Sequence, residues 1–238
     1  MPVAVSIVDA KASQAEIDKI FDYFKYVDEK FSTYKDTSEI SAINRGELAE
    51  KDWSNDMKTV FAFAEETKQK TNGYFEIKTP SGKYDPSGLV KGWAIFNAAK
   101  LLKDDGFENF YVDAGGDIQP RGRNAEGKKW SVGIRSPFNP NEIVKTVYVE
   151  NEGVATSGTY VRGEHIYDPK TGMPASAILS LTVVGPNIYE ADRFATAAFA
   201  MGTEGIRFIE SLPGLEAYMI NKKGMATMTS GFEKYLEI

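Results

Sequence analysis

Apolar residues change their spacing several times along the chain, and each change marks an element. Over 13–31, "SQAEIDKIFDYFKYVDEKF", Ile17, Ile20, Phe21, Phe24, Val27 and Phe31 recur every three or four positions, which predicts an amphipathic helix. Ser13 and Glu16 stand ahead of it at capping-box spacing. A second helix is predicted over about 54–70, with Met57, Val60, Phe61 and Ala64 inward. A third follows in "LVKGWAIFNAAKLLKDDG", closed by Gly106 just past its C-terminus, and two more are predicted near 188–201 and 204–211. Short β-rich runs fill much of the remainder: "VAVSIV", "NFYVDAGG", "KWSVGIR", "IVKTVYVE", "GVATSG", "ILSLTVVG", "EAYMIN" and "MATMTS". The polar stretch "STYKDTSEISAINRGE" holds at most a short helix from Ser38. The turn-rich segment 71–88, "TNGYFEIKTPSGKYDPSG", is longer than most connections in compact domains, and loops of that length are often functional. Strands outnumber helices and several neighbours have hairpin-length connections. The expected fold is therefore α+β, with largely antiparallel sheets flanked by helices. No linker, repeat or low-complexity tract divides residues 1–238, which points to a single compact domain.

Composition narrows the chemistry. With 28 Lys and Arg against 34 Asp and Glu, the net charge is −6, and no basic cluster stands out to track a nucleic acid. An acidic protein that handles phosphate needs a local device, such as a metal ion or a helix N-terminus. The chain has no cysteine and one histidine, His165. That excludes disulfides, thiolate zinc, iron–sulfur ligation, a thiol nucleophile and a His-rich metal site. Any metal should sit among oxygens, favouring Mg²⁺. No run reaches the ~18 apolar residues of a membrane span. The start, "MPVAVSIVDA", carries neither a basic leader nor a lipobox cysteine, so the expected location is cytoplasmic. The alternative is the cell envelope, if these residues derive from an exported parent.

Four motifs carry candidate chemistry, each beside a plainer reading. In "DPSGLVKG", 85–92, Ser87 is placed to cap a helix whose N-terminus offers N–H groups to an anion, with Lys91 one turn in. The plain reading is a capped helix with a solvent-facing lysine. In "DAGGDIQPRG", 113–122, paired glycines permit close approach to a ligand, or simply a tight hairpin. In "EADRFATAAFAMG", Asp192 and Thr196 share one helical face and can offer two hard oxygens to Mg²⁺. Alternatively, the threonine bonds back to its own helix and the aspartate serves the helix start. In "GEHIYDPKTGMP", His165 has the intrinsic pKa for proton transfer near neutrality, and Asp168, Pro169 and the Thr171-Gly172 turn fix the chain beside it. A lone histidine also serves as an ordinary surface or hydrogen-bonded residue. Just upstream, "VATSGTY" sets Thr156, Ser157 and Gly158 where a small-residue backbone can line a pocket.

Taken in order, "FSTYKDTSEISAIN", "TNGYFE", "DPSGLVKG", "VDAGGDIQPRG", "VATSGTY", "HIYDPKTGMP" and "EADRFATAAFAMG" resemble the ApbE family, the FAD:protein FMN transferases once labelled thiamine-biosynthesis lipoproteins. The resemblance runs from about residue 31 to residue 202. It implies a T-fold-like architecture that binds FAD in a cleft with Mg²⁺ at its pyrophosphate. It also implies transfer of FMN to a Thr or Ser hydroxyl of an acceptor flavoprotein, making a phosphodiester and releasing AMP. Asp192 and Thr196 match the metal-binding positions, and Gly88 matches the one that gives a backbone oxygen to the same ion. Tyr34, Tyr74, Phe75, Glu76, Asp85, Lys91, Gly115, Gly116, Asp117 and Ile166 match cofactor-binding positions, and Ser157 and Gly158 are counted with them. His165 matches the proposed catalytic base. Glu76 stands where the family often has Asp, and Asp113 where Asn is common. Two rival activities share these residues: FAD pyrophosphatase, with water replacing the acceptor, and a non-catalytic FAD-binding module.

Overall fold

The computed structural model describes residues 1–139, 141–159 and 166–237. Two sheets and six α-helices make up the architecture among them. β1 (Val3–Ile7) is followed by α1 (Gln14–Phe31), α2 (Glu39–Asn44), α3 (Asn55–Lys70) and α4 (Ser87–Asp104). Strands β2 (Phe110–Ala114), β3 (Asp117–Arg121), β4 (Trp130–Arg135), β5 (Ile143–Val149), β6 (Gly153–Gly158) and β7 (Ile178–Gly185) come next. The chain then forms α5 (Ile188–Ala200), α6 (Gly205–Glu210), β8 (Glu216–Asn221) and β9 (Ala226–Met228).

The main sheet runs β1-β2-β3-β6-β7-β8-β9, and every pairing in it is antiparallel. β4 and β5 form a separate hairpin inserted between β3 and β6. The sheet is covered on both faces, and its side chains alternate accordingly. Ala217 and Met219 join the core shared with α1, α4, α5 and α6, where Val112, Leu181 and Val183 also pack. Tyr218 and Ile220 point the other way, into a core shared with Val147 and Val149 of the hairpin and with Phe232. A third core lies among α1, α2, α3 and the first half of α4, around Met57, Val60, Leu89 and Trp93.

The expected α+β, largely antiparallel, single-domain architecture is what the chain adopts. The capping box of α1 forms: Glu16 Oε2 accepts the Ser13 backbone N–H at 2.8 Å, and the Ser13 hydroxyl caps the helix. One local expectation needs correction. Ser87 does not cap α4; it is the first helical residue, and Asp85 Oδ1 accepts its N–H at 3.0 Å. The aspartate takes the N–H two residues on, an Asx-type turn around Pro86 that leads the chain into the helix. Residues 117–121, with three polar side chains and a proline, form strand β3. Its inward-facing Gln119 is buried yet satisfied, giving its amide N–H groups to Pro120 and Asn151 carbonyls and accepting the Ile188 N–H at 2.8 Å. That last bond anchors the start of α5 on the sheet.

α5 is buried on nearly every side, and its alanines 191, 195, 197, 198 and 200 let neighbours approach closely. Phe199 fills the interior between this helix and the sheet and is fully buried. Phe199→Ala is expected to cost about 3–5 kcal/mol in denaturant unfolding, because the emptied volume lies where rigid elements cannot collapse into it. A loss below about 1 kcal/mol would show that the helix–sheet core is looser than this packing implies.

Candidate active site

A cleft of about 1020 Å³ opens where the 74–88 segment, the β2–β3 turn, the end of β6 and the 166–172 segment meet. Of the positions singled out from the sequence, Tyr74, Phe75, Glu76, Asp85, Gly88, Gly115, Gly116, Asp117, Ser157, Gly158, Ile166 and Thr196 line it. Lys91 and Asp192 lie against its floor through their contacts with Asp117. Tyr34 is 98% exposed and is not among the lining residues, so the structure does not bring it to this cleft. His165 lies outside the described residues.

The floor is made by two helices in close contact. Asp192 is only 3% exposed, and its Oδ2 accepts the backbone N–H of Gly92 at 2.7 Å. One turn later, the Thr196 hydroxyl donates to the Gly88 carbonyl at 3.2 Å. The threonine therefore reaches across to α4 instead of bonding back to its own helix, and Asn187, not Asp192, caps α5. Gly92 permits this approach: a Cβ there would stand 2.6 Å from Asp192 Cβ and 2.9 Å from its Oδ2. Glycine at this helical position was not singled out from sequence, because an interior helix glycine carries no local mark of what faces it.

Lys91 is not solvent-facing. Its Nζ lies 2.5 Å from Asp117 Oδ2 and 3.4 Å from Asp192 Oδ1, with its side chain only 17% exposed. Asp117 Oδ1 accepts the Thr156 N–H at 3.0 Å, linking β3 to β6. Burial pushes the Asp192 carboxyl up, to about 7, against the opposing pull of the Lys91 ammonium. Next to Asp192, the buried Arg193 binds both carboxylate oxygens of Glu190, the Tyr189 hydroxyl and Thr67 on α3. That network ties α5 to α3 and fixes the register of the floor.

The walls are equally specified. Gly115 and Gly116, with φ of +67° and +94°, form the two-residue turn between β2 and β3, where Ala114 pairs with Asp117. The hairpin and ligand readings of these glycines hold together, since positive φ is required by the turn and the bare backbone faces the cleft. Asp113 Oδ1 accepts the Gly116 N–H at 3.0 Å, and burial raises the Asp113 carboxyl above its usual range. Burial also pushes Glu76 up, but its bonds to the Lys68 ammonium and the Lys78 N–H outweigh this and leave its carboxyl below the ordinary value. Asn44 of α2 both donates to and accepts from the Tyr84 backbone, steadying the same loop. On the opposite side, Asp168 folds the 168–173 turn by accepting from the Lys170 N–H and the Thr171 hydroxyl. The Lys170 ammonium then lies 3.9 Å from the centre of the Tyr74 ring, bringing the two walls into contact. Arg135 also lines the cleft. Neither Lys170 nor Arg135 was marked in the sequence, since cations at a strand end or a turn look like ordinary surface.

The donor set fits Mg²⁺. Oxygens adjacent on an octahedral ion at 2.0–2.1 Å are about 3 Å apart, close to the 3.2 Å between Thr196 Oγ1 and the Gly88 carbonyl. Asp192 adds one carboxylate, with Oδ1 on the side of Lys91. Among the described residues no group of three or more His, Cys, Asp and Glu forms a metal cage. One carboxylate with two neutral oxygens suits an ion that keeps waters or shares a substrate phosphate.

The ApbE family profile matches residues 1–82 and 77–219. Curated relatives named FAD:protein FMN transferase include that of Escherichia coli strain K12, 32% identical over 66% of this chain and 47% of its own length. The Klebsiella pneumoniae relative of the same name is 33% identical over the same shares, 66% and 47%. The chain thus spans about half the length of these relatives, 47%. Among solved structures, the flavin transferase ApbE from Vibrio cholerae superposes with a TM-score of 0.86 at 23% identity, covering 98% of this chain and 95% of that one. The ApbE protein of Thermotoga maritima gives 0.86 at 22%, covering 98% and 94%. Both likenesses establish the fold. No described helix is long and apolar enough to cross a membrane.

Gly92→Ala tests the helix contact by sign. Helix propensity alone predicts stabilisation by about 1 kcal/mol, whereas the blocked approach predicts a loss of about 1–3 kcal/mol. Denaturant unfolding should show the loss. A more stable variant would contradict the contact.

Proposed function

The chain belongs to the ApbE family, and from that premise we propose that it transfers the FMN half of FAD to a Thr or Ser hydroxyl of an acceptor flavoprotein. The observation that carries this reading is a pair of contacts one turn apart, Thr196 hydroxyl to Gly88 carbonyl and Asp192 carboxylate to Gly92 N–H, beside a cleft of about 1020 Å³. In a protein of net charge −6, an anionic pyrophosphate needs such a floor to be held at all.

Gly88, Asp192 and Thr196 are the residues that would hold Mg²⁺. When bound, the ion would offset pyrophosphate charge and favour departure of AMP. The rest falls to the chain's own groups. The N-terminus of α4 presents its positive end to the cleft at Ser87 and Gly88 and orients the phosphates. The Gly115-Gly116 turn admits the substrate backbone-close, and the Tyr74 and Phe75 region supplies an aromatic wall for the flavin. The reaction is an in-line exchange at phosphorus: the acceptor oxygen forms a new P–O bond, and the bond to AMP breaks. His165 is assigned the removal of the acceptor hydroxyl proton, on the strength of its motif alone. The flavin ring is cargo and changes no redox state.

Incubation with FAD, Mg²⁺ and an acceptor domain, read by intact mass, tests the proposal. Covalent FMN on a Thr or Ser of the acceptor is expected; free FMN without labelling would replace transfer by hydrolysis, and unchanged FAD would leave binding alone. His165→Ala should slow labelling by about 10²–10⁴-fold while FAD still binds. Loss of FAD binding in that variant would assign His165 a structural role instead.

A further inference from the structure

Two buried carboxylates share one ammonium beneath the cleft. Asp117, the first residue of β3, accepts the Thr156 N–H with one oxygen at 3.0 Å, and Asp192, on α5, accepts the Gly92 N–H with one at 2.7 Å. Each is left with a second oxygen on the side of Lys91, at 2.5 Å for Asp117 and 3.4 Å for Asp192. Asp117 and Asp192 are 1% and 3% exposed, so little water reaches either group. Two negative charges and one positive charge leave this cluster formally short of one cation, and buried carboxylates without compensation are costly.

We propose that Lys91 is a positioning residue that stands in for the metal: its ammonium guards the Asp192 oxygen a divalent ion would take, and withdraws onto Asp117 when that ion binds. The inference rests on the reading of Asp192 as a metal ligand. The unequal distances carry it. The ammonium already sits on Asp117, so leaving Asp192 sacrifices its longer contact and keeps its shorter one. Asp117 is then the reservoir that receives the displaced charge, and its bond to the Thr156 N–H connects that exchange to the cleft wall at β6. Lys91 opposes metal entry by like charge, and Asp117 favours entry by drawing the lysine away.

The two residues therefore act on the ion with opposite signs. Mn²⁺ binding to the whole chain, followed by electron paramagnetic resonance without FAD, reads the effect directly. Lys91→Met should tighten Mn²⁺ binding by about 10-fold, within the usual range for coupled sites. Asp117→Asn, whose amide oxygen can keep the Thr156 bond, should weaken it by a similar factor. Circular dichroism verifies folding, and Asp117→Asn decides the matter if Lys91→Met does not fold. Unchanged or weaker binding in Lys91→Met, or unchanged or tighter binding in Asp117→Asn, overturns the inference. Asp192→Asn separates the premise: if it binds Mn²⁺ as the parent does, the metal reading fails with it. Loss of binding there, with the wrong sign at Lys91, defeats this inference alone.

Discussion

The site depends on how closely two helices approach. α4 and α5 touch where a glycine removes the side chain that would keep them apart, and there a backbone N–H reaches the Asp192 carboxylate at 2.7 Å. A main-chain N–H inside a helix is ordinarily committed to its own ladder. Meeting a charged acceptor from another helix therefore fixes both in register. One turn along the same interface, Thr196 meets the Gly88 carbonyl. Without that approach neither contact would form, and Asp192 and Thr196 would not stand against the start of α4 at the cleft floor.

The remainder of the fold holds this contact in place. The main sheet supports α5 through Gln119, whose amide accepts the first N–H of the helix. Arg193 fastens the other side of α5 to α3. Both are buried polar groups in a largely apolar interior, and each is satisfied by several partners, as burial of such groups demands. Rigidity at the floor contrasts with the walls. There, turns built on Asp113, Asp168 and Glu76 use short-range bonds to shape segments that line the opening. A fixed floor with locally folded walls suits the proposed exchange, in which a dinucleotide would be held while a second, larger partner is admitted.

Much of this was legible in the chain, and the gaps have physical causes. The period of α1 and its Ser13-Glu16 box sufficed because that information is local. The α+β class followed from strand spacing. Asp192 and Thr196 could be put on one face by their separation of four, yet spacing says nothing about which helix they meet. Gly92 was invisible for the same reason: its meaning lies in Asp192, a hundred positions away. β3 was hidden because its inward position is a glutamine, polar by type and buried by virtue of distant backbone partners. Lys91 could be read as a charge for a phosphate or as a surface lysine, and its partners Asp117 and Asp192 could not be read from its own stretch. Tyr34, placed with the ligand positions by its motif, stands 98% exposed and outside the cleft lining.

The central claim is that Gly88, Asp192 and Thr196 form one ion site at the cleft floor. Anomalous diffraction from crystals grown with FAD and Mn²⁺ tests it most directly. The account predicts a single strong manganese peak in contact with all three oxygens and with a phosphate of the dinucleotide. A manganese peak elsewhere, with FAD bound and Asp192 still held only by protein groups, would contradict it.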